Sequence, residues 1–280
     1  MKSKMNSAAF SFLMIAVLIT VAHCRQENGS CDCPPSKFEN GMYYSQTYED
    51  YILAYVFKNV ASGFYIDVGA NDPNVFNVTR FFYERGWRGI NIEPNVMLFK
   101  RIIEFRPRDI NYNCGISNTE GNLKFYQESN KVDDLMPLST FDKAIAEMHK
   151  KKHGVPFTEI LVPVTTLNNL LAKISIPEIS FISIDVEGFE KQVVESIDLA
   201  RYKPVVLCIE ETSPGGNASY TDWEKVVINS NYVFAMSDGV NRYYLHKSHI
   251  ELLSRFIDID RCVKLSKYKR QVKMNGWSSW

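Results

Sequence analysis

Acidic and amide side chains follow almost every strand-like run of this sequence. Carboxylates only accept hydrogen bonds and attract positive charge, whereas amides both donate and accept. A cluster of such groups suits a ligand that carries hydroxyl and cationic groups. The acidic and amide residues, in chain order, are Asp67, Asn71, Glu93, Asn118, Asp185, Glu187 and Glu210, and Gly69 and Ser117 lie beside them as further candidates.

The turn after the run FYIDVG lacks the features of a phosphate site. Neither GxxxxGK[ST] nor GxGxxG occurs in the chain, and no basic residue follows this run before Arg80. A ligand with ribose hydroxyls, an amino group and positive charge but no phosphate suits the carboxylates better, and S-adenosylmethionine is such a ligand. Glu93 would accept two hydrogen bonds from its ribose diol, and Gly69 would admit its amino-acid end close to the backbone. Asp72 and Pro73 are interpreted as the start of the next helix.

From about residue 43, short strand-like runs alternate with helix-like ones, which is typical of a parallel α/β sheet. The predicted strands are 64–69, 89–93, 110–116, 123–126, 161–167, 179–186, 204–210, 232–237 and 242–246. The predicted helices are 47–59, 74–85, 94–105, 189–199, 221–229 and 248–256. Residues 128–160 interrupt the alternation and are predicted to form an excursion over the sheet that contacts the substrate. Ligands of such sheets lie beyond the carboxyl ends of the strands, where the strand order reverses.

An ordered series of segments resembles the FkbM family of S-adenosylmethionine-dependent methyltransferases. The resemblance covers about residues 43–211. Its segments are YSQTYEDYIL, FYIDVGANDP, FFYERGWRGINIEPN, FRPRDINYNCGISNTEGNLKFY, LST, VPVTTLNNLL, ISFISIDVEGFEKQVVES and YKPVVLCIEE.

The resemblance implies a Rossmann-like class I methyltransferase fold with a largely parallel seven-stranded sheet and helices on both faces. It implies methyl transfer to a hydroxyl oxygen, for example of a glycan or another small acceptor. Asp67, Gly69 and Asn71 match the family's cofactor loop, and Glu93 matches its ribose carboxylate. Ser117 and Asn118 match an adenine contact, although many members have Asp where this chain has Asn118. Asp185 matches the strand end where cofactor and acceptor meet.

The sulfonium of S-adenosylmethionine already activates its methyl group, so the protein mainly has to align an acceptor oxygen and accept its proton. Asp185 is the preferred residue at the reaction centre, with Glu187 and Glu210 as further candidates. His149 and His153, on the excursion, are weaker candidates for the base. Glu187 and Glu190 have a second interpretation, as groups that solvate or cap the helix that begins near Phe189. The chain has no CxxC pair and no HExxH helix, so no metal is predicted.

The amino-terminal segment predicts entry into the secretory pathway. Lys2 and Lys4 precede an uncharged stretch, and Thr20 and Ala22 provide the small residues that a signal peptidase requires. Two interpretations stay open, a cleaved signal over 1–22 and an uncleaved membrane anchor with the rest of the chain in the lumen or outside the cell.

The predicted organisation continues with a linker over 23–42, a methyltransferase domain over 43–260 and a tail over 261–280. Cys24, Cys31 and Cys33 form a group in or beside the linker, where a disulfide is plausible, and Cys262 is a candidate partner for this group. Cys114 and Cys208 lie in apolar runs and are interpreted as small hydrophobic residues. Three sequons, at Asn28, Asn77 and Asn217, are glycosylation candidates.

Lys plus Arg and Asp plus Glu both number 32, so no basic field indicates a nucleic acid partner. The predicted partner is a small-molecule or glycan acceptor, with a membrane involved only if the first segment is not cleaved. A second hypothesis is a methyltransferase-fold module that has lost turnover and serves binding or trafficking.

Overall fold

A computed structural model describes residues 43–129, 138–211 and 221–265. The strands are β1 Phe64–Val68, β2 Arg88–Ile92, β3 Ile110–Tyr112, β4 Gly115–Ile116, β5 Gly121–Glu128, β6 Phe157–Thr165, β7 Phe181–Ile184, β8 Val206–Glu210, β9 Tyr232–Ser237 and β10 Asn241–His246. The helices are α1 Glu49–Val56, α2 Arg80–Glu84, α3 Val96–Phe105, α4 Lys143–His153, α5 Leu167–Leu171, α6 Glu190–Glu195, α7 Leu199–Tyr202, α8 Glu224–Asn229 and α9 Leu253–Leu265, with a 3-10 helix over Lys247–Leu252.

Seven strands form the main sheet in the order β3-β2-β1-β7-β8-β10-β9. All pairs from β3 to β8 are parallel, and only β10 runs antiparallel to its two neighbours. The strand order reverses between β1 and β7, which places the predicted ligand position beyond the carboxyl ends of these two strands. The predicted largely parallel seven-stranded sheet is confirmed.

Helices cover both faces of this sheet. Tyr65 and its register partner Phe181 stack on one face, where Phe57 after α1 and Phe82 of α2 pack against Phe181. Ile66 points to the opposite face because successive strand residues alternate, and it belongs to a buried cluster with residues of α5, α6 and α8. All five residues of β1 are therefore buried, as in strands covered on both faces.

A second, three-stranded sheet has the order β4-β6-β5, which corrects part of the predicted strand pattern. The run 110–116 was expected to be one strand, but it divides into β3 of the main sheet and β4 of the small one. Between them, the Asn113 side chain donates to the carbonyl oxygens of Glu93 and Pro94 at 2.8 and 3.0 Å. This side chain fixes the chain where it leaves the main sheet.

The excursion contains more regular structure than the sequence predicted. It includes the end of β5, helix α4 and the start of β6, with 130–137 outside the described residues. Asp142 caps α4 by accepting from the backbone N–H of Ala144 and Ile145, and Gly154 ends the helix at φ 70°. Helix α5 was also missed, since the preceding strand was expected to continue to 167.

The predicted leader, linker and cysteine group lie outside the described residues, so their organisation stays a prediction. No helix in the described part of the chain has the length and apolar character needed to span a bilayer. Cys208 is buried and Cys114 half-buried, each as a free thiol, in agreement with their interpretation as small hydrophobic residues. Helix α9 passes the predicted domain boundary at residue 260.

The sequon at Asn77 is not an accessible glycosylation site in this fold. Asn77 is only 3% exposed, and its Nδ2 donates to the Ala70 carbonyl oxygen at 3.0 Å. A glycan on that nitrogen would need space that this buried side chain does not have. The sequons at Asn28 and Asn217 lie outside the described residues.

Candidate functional site

A cleft of about 950 Å³, counted with the solvent at its mouth, lies beyond the carboxyl ends of β1, β2 and β7. This is the place where the strand order reverses and where open α/β sheets bind ligands. Its described lining consists of 46, 67–71, 76–78, 92–94, 98, 114–116, 125, 139, 141, 183 and 185–187.

The end of β1 supplies Asp67 and the loop after it supplies Gly69 and Asn71, and all three line the cleft. Asp67 accepts a hydrogen bond from Thr79 Oγ1 at 2.9 Å, and burial raises its pKa to about 6. Asn71 adopts a left-handed conformation with φ 51°, which amide side chains tolerate better than most. The backbone N–H groups of Gly69 and Ala70 both donate to the Ile92 carbonyl oxygen at the end of β2.

Gly69 is required by the fold rather than directly by a ligand. It has φ 83°, and a Cβ at this position would lie 1.9 Å from the carbonyl oxygen of Asp185. The missing side chain therefore lets the β1 loop pack against the end of β7. The prediction gave a different reason, close approach of a ligand to the backbone, and the structure shows that a protein carbonyl occupies this space.

Glu93 joins the ends of β1 and β2. One of its carboxylate oxygens accepts from the Asn71 N–H at 2.9 Å and the other from the Asn95 N–H at 2.7 Å. Burial raises the pKa of Glu93 to about 7, although these two hydrogen bonds oppose the rise. Since each carboxylate oxygen has two acceptor positions, each retains one for a ligand hydroxyl.

Asp185 follows β7 and is exposed to the cleft. Although it reaches solvent there, the surrounding protein and the Glu49 carboxylate raise its pKa. A side-chain hydrogen bond joins it to Glu210 at the end of β8, which opposes this rise. Glu210 does not line the cleft, so it contacts this site through Asp185.

Glu187 also lines the cleft, and its carboxylate lies 3.3 Å from His149 Nε2. Burial and the neighbouring Asp185 and Glu190 raise the pKa of Glu187 well above its usual range. Helix α6 begins at Glu190, and its N-cap residue Phe189 makes no side-chain capping hydrogen bond, so capping by Glu187 is not supported. Glu190 accepts from the N–H groups of Val186 and Gly188, just ahead of the helix.

Ser117 and Asn118 are not brought to the cleft. Ser117 is buried, and its N–H donates to the Thr165 carbonyl oxygen at 3.0 Å, within the small sheet. The Asn118 side chain donates to Glu195 Oε2 at 2.9 Å on the surface. Their predicted role in cofactor binding therefore has no support from position.

Sequence reasoning missed an aromatic wall of the cleft, formed by Phe125 and Phe141. Their ring centroids are 4.7 Å apart, and Phe141 also packs against Phe189 at 5.3 Å. A Cβ on Gly115 would lie 2.3 Å from the Phe141 ring, so this glycine makes room for the wall. The position of Phe141 directly after the family segment LST is the only signal in the sequence that indicates this wall.

Asn77 and Arg106 support the β1 loop from behind, and the sequence did not predict this either. Arg106 is almost fully buried and donates to Asn77 Oδ1 at 2.5 Å and to the Pro73 carbonyl oxygen at 3.1 Å. Asn77 in turn holds the Ala70 carbonyl. The loop is thereby fixed before any ligand arrives.

The described lining contains four carboxylates and no Lys, Arg or His side chain. Within the same described part of the chain, no group of three or more His, Cys, Asp or Glu side chains has a geometry that could hold a metal ion. These carboxylates suit the sulfonium, the ammonium group and the two ribose hydroxyls of S-adenosylmethionine. They offer no countercharge for a phosphate.

Comparison with known proteins gives a matching family and similar solved structures. No curated protein matches the chain in sequence. A crystal structure of a TehB-like SAM-dependent methyltransferase from Corynebacterium glutamicum is similar at 9% identity and a TM-score of 0.38, with 86% of this chain and 100% of that chain covered. Residues 67–235, more than half of the chain, match the family described as Methyltransferase FkbM domain. This chain belongs to the FkbM methyltransferase family.

Proposed function

We propose that this protein binds S-adenosylmethionine in the cleft at the carboxyl ends of β1, β2 and β7 and transfers its methyl group to a hydroxyl oxygen of an uncharged acceptor, such as a glycan. The observation that carries the proposal is the charge of the described lining, with four carboxylates and no basic side chain, at the reversal of strand order. Membership of a methyltransferase family supports the same activity.

The ribose, the cationic groups and the adenine of the cofactor each have a suitable group in the cleft. Glu93 would accept from the ribose hydroxyls with the acceptor positions that Asn71 and Asn95 leave open. Asp67 and Asp185 would face the cationic groups, and Leu98 and Ile116 would provide an apolar surface for the adenine. When bound, S-adenosylmethionine supplies an activated methyl group, and the protein supplies alignment and a proton acceptor.

The acceptor is proposed to be uncharged because the part of the cleft beside Asp185 and Glu187 repels anions. A carboxylate or sulfate on the acceptor would meet Asp185 and Glu187 without a basic partner in the described lining. The Phe125 and Phe141 wall would pack against the apolar face of a sugar ring.

Transfer of tritium from methyl-labelled S-adenosylmethionine tests this function. The acceptor panel consists of neutral oligosaccharides and their matched uronic acids. We expect label on the neutral members in an ether linkage that resists alkali, and loss of transfer in Asp185→Asn with the thermal unfolding temperature unchanged. Alkali-labile label, or transfer to the uronic acids alone, would contradict the proposal. Cofactor binding without transfer to any member would favour the inactive binding or trafficking module.

A location in the secretory pathway is a separate proposal that rests on the charged and apolar pattern of residues 1–22. Amino-terminal sequencing of the protein from a eukaryotic secretion system tests it. A new terminus near residue 23 is expected for a cleaved signal. A protein that keeps its first residue and stays in the membrane fraction would favour the anchor.

A further inference from the structure

His149 contacts Glu187 from outside the cleft. It lies on α4, is only 5% exposed and is not part of the cleft lining. Its Nε2 is 3.3 Å from Glu187 Oε2. A buried imidazole on the excursion therefore contacts a carboxylate at the proposed reaction centre.

The excursion holds Glu187 at a second point. Thr140, fully buried ahead of α4, donates through Oγ1 to the Glu187 carbonyl oxygen at 2.8 Å. Glu187 itself has φ 53°, a left-handed conformation that a non-glycine residue adopts only when its surroundings enforce it. Thr140 fixes its backbone and His149 its carboxylate, so the orientation of this side chain is set by the excursion.

The hydrogen bonding of His149 indicates which nitrogen carries the proton. Its Nδ1 is buried and has no hydrogen-bond partner among the described residues. A buried N–H without a partner is rarer in proteins than an acceptor without one. The proton therefore belongs on Nε2, which donates to Glu187. Burial, helped by His153 and Lys152, lowers the pKa of His149 to about 4, so the imidazole is neutral near pH 7.

The geometry points to Glu187 as the group that takes the proton of the acceptor hydroxyl, and to His149 as its positioning residue. This inference rests on the proposed function. The acceptor oxygen forms a bond to the methyl carbon while the carbon–sulfur bond breaks. The bonding pair stays on sulfur, which becomes a neutral thioether, and the hydroxyl proton moves to the Glu187 carboxylate. His149 donates to Oε2 and leaves Oε1 to receive that proton.

Asp185 is less suited to this role because it already shares a hydrogen bond with another acid, Glu210. Two carboxyl groups so joined hold a proton between them. Glu187 instead faces an imidazole donor. The charged groups around it are Asp185 and Glu190 on the side of the sheet, with His153 and Lys152 behind His149 on α4.

Carbon-detected NMR titration of the glutamate carboxyl groups in the full chain tests the pairing, with Glu187→Gln to assign the signal. Removing a donor to a carboxylate raises its pKa. In His149→Phe we expect the Glu187 midpoint to move by about 1 pH unit to higher pH. His149→Gln, whose amide nitrogen replaces Nε2, should restore most of the shift. Lys151→Gln is the matched control, since the exposed Lys151 lies on the same helix, and it should leave the midpoint unchanged.

The kinetic readout uses the best neutral acceptor of the tritium panel at saturating S-adenosylmethionine. We expect His149→Phe to lower kcat about tenfold and to move the acidic limb of the pH profile to higher pH. The KM for S-adenosylmethionine should not change, and His149→Gln should recover the profile. An unchanged Glu187 midpoint or an unchanged pH profile in His149→Phe overturns the inference. If the wild-type protein binds no cofactor, the proposed function fails, while the NMR titration still decides whether His149 controls Glu187.

Discussion

A concave surface lies at each end of the parallel strands, and the two surfaces differ in the charge of the side chains that line them. The hollow at the amino ends of β1, β2 and β8 is the larger one, about 1340 Å³ against about 950 Å³ for the carboxyl-end cleft, both counted with open solvent. Volume alone would therefore place the ligand site at the amino end, opposite to the end that we propose. The difference lies in the charges and in how the side chains are held.

At the amino end, side chains of both charge signs line the hollow, with Arg88 and Arg255 beside Glu178 and Glu251. His249 lies 3.5 Å from Glu178, and Arg255 donates to the Val56 carbonyl oxygen. Glu178 is mostly exposed. At the carboxyl end, by contrast, the buried groups are carboxylates. Backbone N–H groups hold Glu93, the Thr79 hydroxyl holds Asp67, and burial raises the pKa of both. Such uncompensated, fixed charge is typical of functional sites.

The largest expected effect concerns two glycines, one at each end of the sheet. Gly69→Ala should lower the free energy of unfolding by about 3 kcal/mol, because the new Cβ meets the Asp185 carbonyl and φ is positive. Gly86 has a similar φ of 90° with open space around it, so Gly86→Ala should cost only about 1 kcal/mol. Urea unfolding measures both. Equal losses would contradict the close packing of the β1 loop against β7.

A second prediction uses the raised pKa values of the carboxyl-end cleft. Burial moves the pKa of Glu93 from its ordinary 4.5 to about 7 and that of Asp67 from 3.8 to about 6. Under the proposed function the ionised forms bind the cofactor, so affinity for S-adenosylmethionine should rise about 100-fold between pH 5.5 and 7.5, with the larger part due to Glu93. Calorimetry at the two pH values measures this. Affinity that does not change with pH would show that neither carboxylate contacts the ligand.

The raised pKa of Glu93 also makes the stability of the ligand-free protein depend on pH. Between pH 4.5 and 7 the folded protein holds the Glu93 proton more strongly than the unfolded chain does. The Glu93 contribution to the free energy of unfolding therefore falls as pH rises through this window. Urea unfolding of Glu93→Gln should show a weaker pH dependence than the wild type. An equal dependence would mean that Glu93 does not carry the shift.

The smallest expected effect tests the one predicted pair that the structure places away from the cleft. Asn118 hydrogen-bonds Glu195 at the surface, so Asn118→Ala should change the affinity for S-adenosylmethionine less than about twofold. Calorimetry on this variant measures the change. A loss of tenfold or more would restore the adenine contact that the family resemblance implied.

The main sheet and the acidic residues at the ends of β1, β2 and β7 were predictable because they depend on the local order of apolar and polar residues in the sequence. Continuous apolar runs mark strands covered on both faces, and acids at their ends mark the ligand edge. Asp67, Glu93 and Asp185 meet at one cleft because parallel strands bring their carboxyl ends together. These predictions needed no knowledge of side-chain contacts.

The rest depends on contacts between residues far apart in the chain. Asn113 divides a continuous strand-like run by bonding to Glu93 and Pro94, and Asn77, predicted as a sequon, is held by Arg106. Glu187 is paired with His149 across 38 residues. No periodicity or spacing reveals such pairs, and only the fold brings them together.

Calorimetric titration of the full chain with S-adenosylmethionine tests the central claim most directly, with Glu93→Gln and Glu178→Gln as variants that each remove one carboxylate from opposite ends of the sheet. We predict one site on the wild-type protein, a loss of affinity of about tenfold or more in Glu93→Gln, and unchanged affinity in Glu178→Gln. The absence of binding to the wild type, or equal losses in both variants, would contradict the assignment of the cofactor to the carboxyl-end cleft.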